Sequence, residues 1–200
     1  MAKKASAIIA TIILLASLSI QATAAGFTGG YKIISSQSDL ESIKNDVTRM
    51  LITEFGIAIR LPLTVKLVSG KELDALYNGA YRGAEIGLYK RVPSGHEIYI
   101  MTGMSQDEVT GTMAHEMTHA WQAEACVPNQ DTVIKEGFAC WVEYKVFDKI
   151  GAYNLANNIK MQADPVYGVG MKKMLEWEDK VGAKQLPIRI RKVVNVSSEI

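Results

Sequence analysis

Apolar residues recur at steps of three and four along the first helical stretch: Leu40, Ile43, Val47, Met50, Leu51 and Phe55. That spacing lines one face of an α-helix, so the stretch predicts an amphipathic helix. Ser38-Asp39-Leu40-Glu41 has the form of a capping box at its start, and Gly56 stands at its stop. The period then changes. Residues 63–68 set Thr64 and Lys66 against apolar neighbours, which predicts a strand. Ser69 and Glu72 form a second capping box, opening a short helix to about Tyr77. Residues 84–90 and 97–102 read as two more strands, joined by the turn-rich RVPSGH.

Beyond residue 104 the pattern is helical. Ser105 and Glu108 make a third capping box, and the helix it opens continues to about Ala125. The loop CVPNQD follows, then a helix starting at Asp131 or Thr132 and stopped by Gly151. Further helices are predicted at 154–162 and 168–181, separated by ADPVYG, with a last strand-like piece at 187–194. A helix, a small N-terminal sheet and then a helical half form an α+β pattern.

The first 25 residues do not fit this scheme. Lys3 and Lys4 precede an apolar run from Ala5 to Ile20, and Ala22-Thr23-Ala24 has the small-x-small form of a signal-peptidase site. Residues 1–24 therefore read as a Sec-type signal peptide, with 25–200 as one mature domain, secreted or periplasmic. The apolar run is shorter than the roughly 20 residues a spanning helix needs, so no membrane insertion is expected after cleavage. Composition adds that the chain can build a core: 48% of residues are hydrophobic and 22% charged. The 22 basic and 21 acidic residues balance, with no basic run to recruit nucleic acid. Export also makes a disulfide between Cys126 and Cys140 possible, worth about 3 kcal/mol through loop closure.

The candidate chemistry lies in HEMTH, residues 115–119. Two histidines four apart on a helix share a face, so His115 and His119 can hold one metal ion. Glu116 is turned by about 100° around the axis, where it reaches water rather than the metal. A catalytic zinc ion takes three protein ligands and keeps a position for water. No histidine follows His119, so the third ligand falls to a carboxylate on the next helix. Glu136 is favoured; Glu143, seven residues on and nearly on the same face, is the rival ligand or a hydrogen-bond partner for a ligand histidine. Glu124 lies too near the end of its own helix to turn back. The chain has three histidines and two fall in this pattern, which argues against chance.

HExxH followed by Glu136-Gly137-Phe138-Ala139 resembles the gluzincin metallopeptidases. KEGFACWVEY is similar to the ligand helix of aminopeptidases, with Lys135 where those carry Asn and without their signature for a substrate amino terminus. MAHEMTHAW at 113–121, the Glu136-Gly137 pair and IKMQADPVYGVGMKKML at 159–175 resemble the DA-one-like peptidase domain. IGLYKR and IYIMTGM fit its upstream strands, and the likeness covers about residues 60–182. It implies a zincin-type fold and a zinc endopeptidase acting on a protein or peptide substrate. Its metal ligands would be His115, His119 and Glu136, with Glu116 as general base. Tyr167, in the matching Tyr-Gly-x-Gly block, is the candidate oxyanion donor, with His96 and Tyr153 behind it. His96 otherwise reads as a solvated turn residue, and Tyr153 as packing between helices. Gly137 reads as letting its helix approach the metal helix. Trp121 and Trp141 read as packing the two helices together. The strand at 97–102 is a candidate sheet edge for substrate. Competing readings are a zinc-stabilised binding module without catalysis and a zinc hydrolase of non-peptide substrates.

Overall fold

The computed structural model describes residues 32–77, 86–198 and 200. The signal-like segment 1–24 and the first residues of the 84–90 strand lie outside them. Helix α1 (Gln37–Phe55) buries Leu40, Ile43, Val47, Leu51 and Phe55, the stripe set by its spacing. Its cap is Ser36 rather than Ser38: the Ser36 hydroxyl accepts the Asp39 N–H, so the helix starts one residue before Ser38. Gly56 ends it with φ at 64°. Strand β1 (Leu63–Val68) leads to helix α2 (Gly70–Leu76), whose Ser69–Glu72 capping box forms in both directions.

Strands β2 (Gly87–Val92) and β3 (Gly95–Met101) make a hairpin whose turn is only Pro93 and Ser94. Sheet order is β1-β3-β2, with β1 parallel and β2 antiparallel to β3. The strand expected at an edge is therefore the central one. β2 is the edge beside the helices. Along β1, the Gln37 side-chain amide takes a neighbour's place: it donates to Val65 O (2.8 Å) and accepts from Leu67 N–H (3.1 Å). One sheet face packs Leu88 and Tyr99 under Leu73 and Tyr77; the other gives Val65, Tyr89, Ile98 and Ile100 to the main core.

The helical half consists of α3 (Gln106–Ala125), α4 (Thr132–Ile150), α5 (Tyr153–Met161), α6 (Tyr167–Val181) and α7 (Leu186–Ile190). The Ser105–Glu108 capping box opens α3, and Asp131 caps α4 through the Ile134 N–H. The strand-like reading of 187–194 fails: Leu186, Pro187, Ile190 and Val193 are the buried residues, spaced as on a helix. α3 packs against α1, α4, β2 and β3 together, and every residue of 111–122 is buried. Polar side chains on that stretch have no water to turn to.

Trp121 and Trp141, both fully buried, join α3 to α4 through Phe138, which lies 5.6 Å from each ring centroid to centroid. Gly137 does not serve the metal helix. It meets Gly170 of α6 so closely that a Cβ there would come within 2.4 Å of the Gly170 carbonyl carbon. Among the described residues no helix is long and apolar enough to cross a membrane.

Candidate metal centre

His115 and His119 stand one turn apart on α3, ring centroids 4.8 Å apart, both facing α4. Glu136, near the start of α4, lies opposite them. Its Oε2 is 3.4 Å from His115 Nε2 and 3.3 Å from His119 Nε2. One ligand atom from each of the three residues falls within 4.8 Å of the others, and all three side chains are buried. The structure thus brings together the three ligands expected from the sequence, and they could hold a metal ion.

The outer nitrogens fix which face the rings present. His115 Nδ1 lies 3.0 Å from Glu143 Oε2, and His119 Nδ1 lies 2.8 Å from Gln122 Oε1. Gln122 in turn donates to Lys135 O at 3.0 Å, which sets its oxygen toward His119. Both acceptors call for a proton on Nδ1, leaving an Nε2 lone pair on each ring. Two lone pairs and a carboxylate, converging in a buried place, repel unless a cation or protons lie between them. Among the described residues, His119 Nε2 and Glu136 Oε1 have no hydrogen-bond partner. This donor set fits a bound cation. Glu143 sits where it can orient His115, and with His115 and Cys140 it forms a second group that could hold a metal ion; Gln122 is a contributor the sequence reading missed. Its only signal was its place three residues after His119.

Glu116 is fully buried, and neither carboxylate oxygen finds a hydrogen-bond partner among the described residues. Gly87 on β2 makes room for it, since a Cβ there would lie 3.0 Å from Glu116 Oε1 and 2.4 Å from Thr112 Cγ2. Burial raises the Glu116 pKa, aided by Glu136 and Glu143 and opposed by the two histidines. At Glu136 burial pushes the same way, but the adjacent histidines outweigh it and hold the carboxyl at about 2. A buried carboxylate of raised pKa, without a partner among the described residues, is a group able to take and return a proton.

Other expectations change. Cys126 and Cys140 are free. Cys140 belongs beside His115 and Glu143, while Cys126 follows the end of α3 about 16 Å further along the axis, well beyond disulfide reach. Burial holds both thiols above their ordinary pKa, Cys126 at about 12. His96 is not a solvated turn residue: the turn is shorter than RVPSGH suggested, and His96 is buried on β3. Tyr153 is 62% exposed instead of packing between helices. Tyr167 is buried at the first position of α6, its N–H bonded to Asp164 Oδ1 at 2.9 Å. The glycines after it serve packing, Gly168 against Gln162 and Gly170 against Gly137. Glu124 turns away from the metal residues to accept the backbone N–H groups of Arg60 and Leu61.

No protein-family model, curated protein or solved structure matches the chain.

Proposed function

We propose that the chain is an exported zinc metallopeptidase, acting as an endopeptidase on protein or peptide substrates. The observation that carries the reading is the pairing of two oriented histidines and Glu136 with an unpartnered Glu116 beside them. His115, His119 and Glu136 would hold the ion; two nitrogens and one oxygen suit zinc, which as a catalytic ion takes three protein ligands. Zinc in this place would supply Lewis-acid activation of water and of the scissile carbonyl.

The chain's own residues do the rest. Glu143 and Gln122 keep the imidazoles turned toward the ion. Glu116 accepts a proton from the attacking water and returns it to the leaving amine nitrogen, which its raised pKa favours. A structural metal site has no use for a base there. Among the described residues β2 pairs only with β3, and Gly87 leaves room for the Glu116 side chain against the face of β2. A peptide added to the outer β2 edge as a strand would bind in extended form through its backbone, a mode suited to internal cleavage. Tyr167 is proposed as oxyanion donor from the motif resemblance alone.

The decisive experiment is a mass-spectrometric digest of a peptide library by wild type beside Glu116→Gln. Wild type should hold about one zinc ion and cut, with loss of cutting in chelator. Glu116→Gln should keep the metal and lose at least about a hundredfold in rate. A metal-free chain that cuts, or a Glu116→Gln chain that cuts as well as wild type, would remove the proposal. Export rests on residues 1–24. Amino-terminal sequencing of the protein from a secreting host should begin at Ala25, and an intact Met1 there counts against it.

A further inference from the structure

His96 is the third histidine of the chain and stands outside the ligand set. It is 1% exposed, and both ring nitrogens are engaged. Nε2 lies 2.7 Å from Glu124 Oε1, and Nδ1 lies 3.0 Å from the Tyr89 hydroxyl. The Glu124 carboxylate only accepts, as it does from Arg60 N–H (2.9 Å) and Leu61 N–H (3.0 Å). His96 therefore carries its proton on Nε2, and its Nδ1 accepts the Tyr89 O–H. Burial lowers the imidazole pKa more than Glu124 raises it, and Arg91 adds to the lowering, so the neutral ring is the form at neutral pH. Arg91 Nη1, 3.2 Å from Nε2, is also a donor and contributes charge rather than a bond. Burial lifts the Tyr89 hydroxyl to about 12, so it stays a donor.

This chain of bonds returns to the metal site. The Tyr89 ring lies 6.3 Å from the His119 ring, tilted by 32°. Tyr89 is two residues along β2 from Gly87, on the same strand face, and Gly87 abuts Glu116. Glu124 lies on α3, downstream of His119. The circuit is closed: His119 to Tyr89 to His96 to Glu124 and back along α3. If Tyr89 only filled space, phenylalanine would fill it without a buried hydroxyl to satisfy. We propose that Tyr89 is a positioning residue for His119, its hydroxyl aimed by the neutral His96–Glu124 pair, so that the brace sets the spacing between the β2 edge and the metal ligands. The inference rests on reading His119 as a ligand.

With three histidines, a long-range proton–nitrogen correlation spectrum resolves each ring. The metal-free wild type should show His96 with a single proton on Nε2. Tyr89→Phe should leave that proton in place and shift the His119 signals. In the cobalt-loaded chain it should move the ligand-field bands and speed cobalt release about tenfold, as for other residues that orient ligands. His96→Gln keeps a donor toward Glu124 but loses the acceptor for Tyr89, and should behave like Tyr89→Phe. His96→Asn restores that acceptor and should return the His119 signals and bands toward wild type. A folded Tyr89→Phe with unchanged His119 signals, or a His96 proton on Nδ1, overturns the brace. If the wild type takes up no cobalt, the metal reading falls while the metal-free spectrum still decides the brace.

Discussion

His115 and His119 are held at Nδ1 by different chemistry, one by a carboxylate and the other by an amide. A carboxylate partner raises imidazole basicity more than an amide does, so the two imidazoles are not equivalent as candidate ligands. Glu143→Ala and Gln122→Ala should each weaken zinc affinity by about 10–100-fold in competition with a chelating dye, with Glu143→Ala the worse. Equal, unchanged affinities would show that these contacts do not orient the rings. The HExxH pair was legible because its chemistry is local, four residues on one helix. The choice between Glu136 and Glu143 was not, because both lie on one face of α4 and only its register against α3 decides. The imidazole of His115 spans the gap between them, Nε2 to Glu136 and Nδ1 to Glu143. His96 was read as a fallback oxyanion donor or a solvated turn residue for a related reason. Its partners Tyr89 and Glu124 come from two other elements, and no local spacing connects them.

At the scale of elements, close approach of α4 and α6 rests on paired glycines. Besides Gly137 meeting Gly170, a Cβ on Gly170 would come within 2.3 Å of Val133 O. The clash is with backbone, which cannot rotate away. Gly137→Ala should therefore destabilise the fold by about 1–3 kcal/mol in urea unfolding and displace the neighbouring Glu136, although alanine is the better helix former. An unchanged or higher unfolding midpoint would contradict that packing. Helices with strong caps were readable to within a residue or so: Ser105 with Glu108, Asp131, Gly56 and Gly151 all act where expected. Residues 187–194 misled because Ile188, Ile190 and Val193 are β-branched. Burial against α6 and the rest of the core, rather than propensity, selects the helical turn. Strand order was also beyond reach, since β1 and β3 pair across α2 and β2, with no local signal for which neighbour each takes.

For the whole molecule, the buried residues proposed to hold the ion link stability to pH and, on that reading, to metal. Burial resists a charged His115, but Cys140, Glu136 and Glu143 outweigh it and raise its pKa well above 6.5 in the metal-free chain. That stabilisation is fully present below 6.5 and is lost as pH rises through the raised value. Glu136 acts in the opposite sense: its contribution is present above 4.5 and fades as pH falls toward about 2. The metal-free fold is therefore favoured on the acid side of neutrality, where protons stand in for the ion. Binding an ion at a hundred times its dissociation constant adds about 2.7 kcal/mol. The gap in Tm between zinc-loaded and chelated protein should widen from pH 6 to pH 8, and a constant gap would show that protons and metal do not compete. The α+β class and the helical half were visible from pattern alone; what joins them, α3 buried on every side, depends on contacts no single segment declares. The side chain of Gln37, lying along β1 in place of another strand, has a consequence for association between molecules. Runaway stacking of sheets needs two receptive edges on each copy. Among the described residues Gln37 occupies two of the outward backbone groups of β1 while β2 has no outer neighbour, so strand addition is favoured at β2 over β1 and growth by that route beyond a pair is disfavoured.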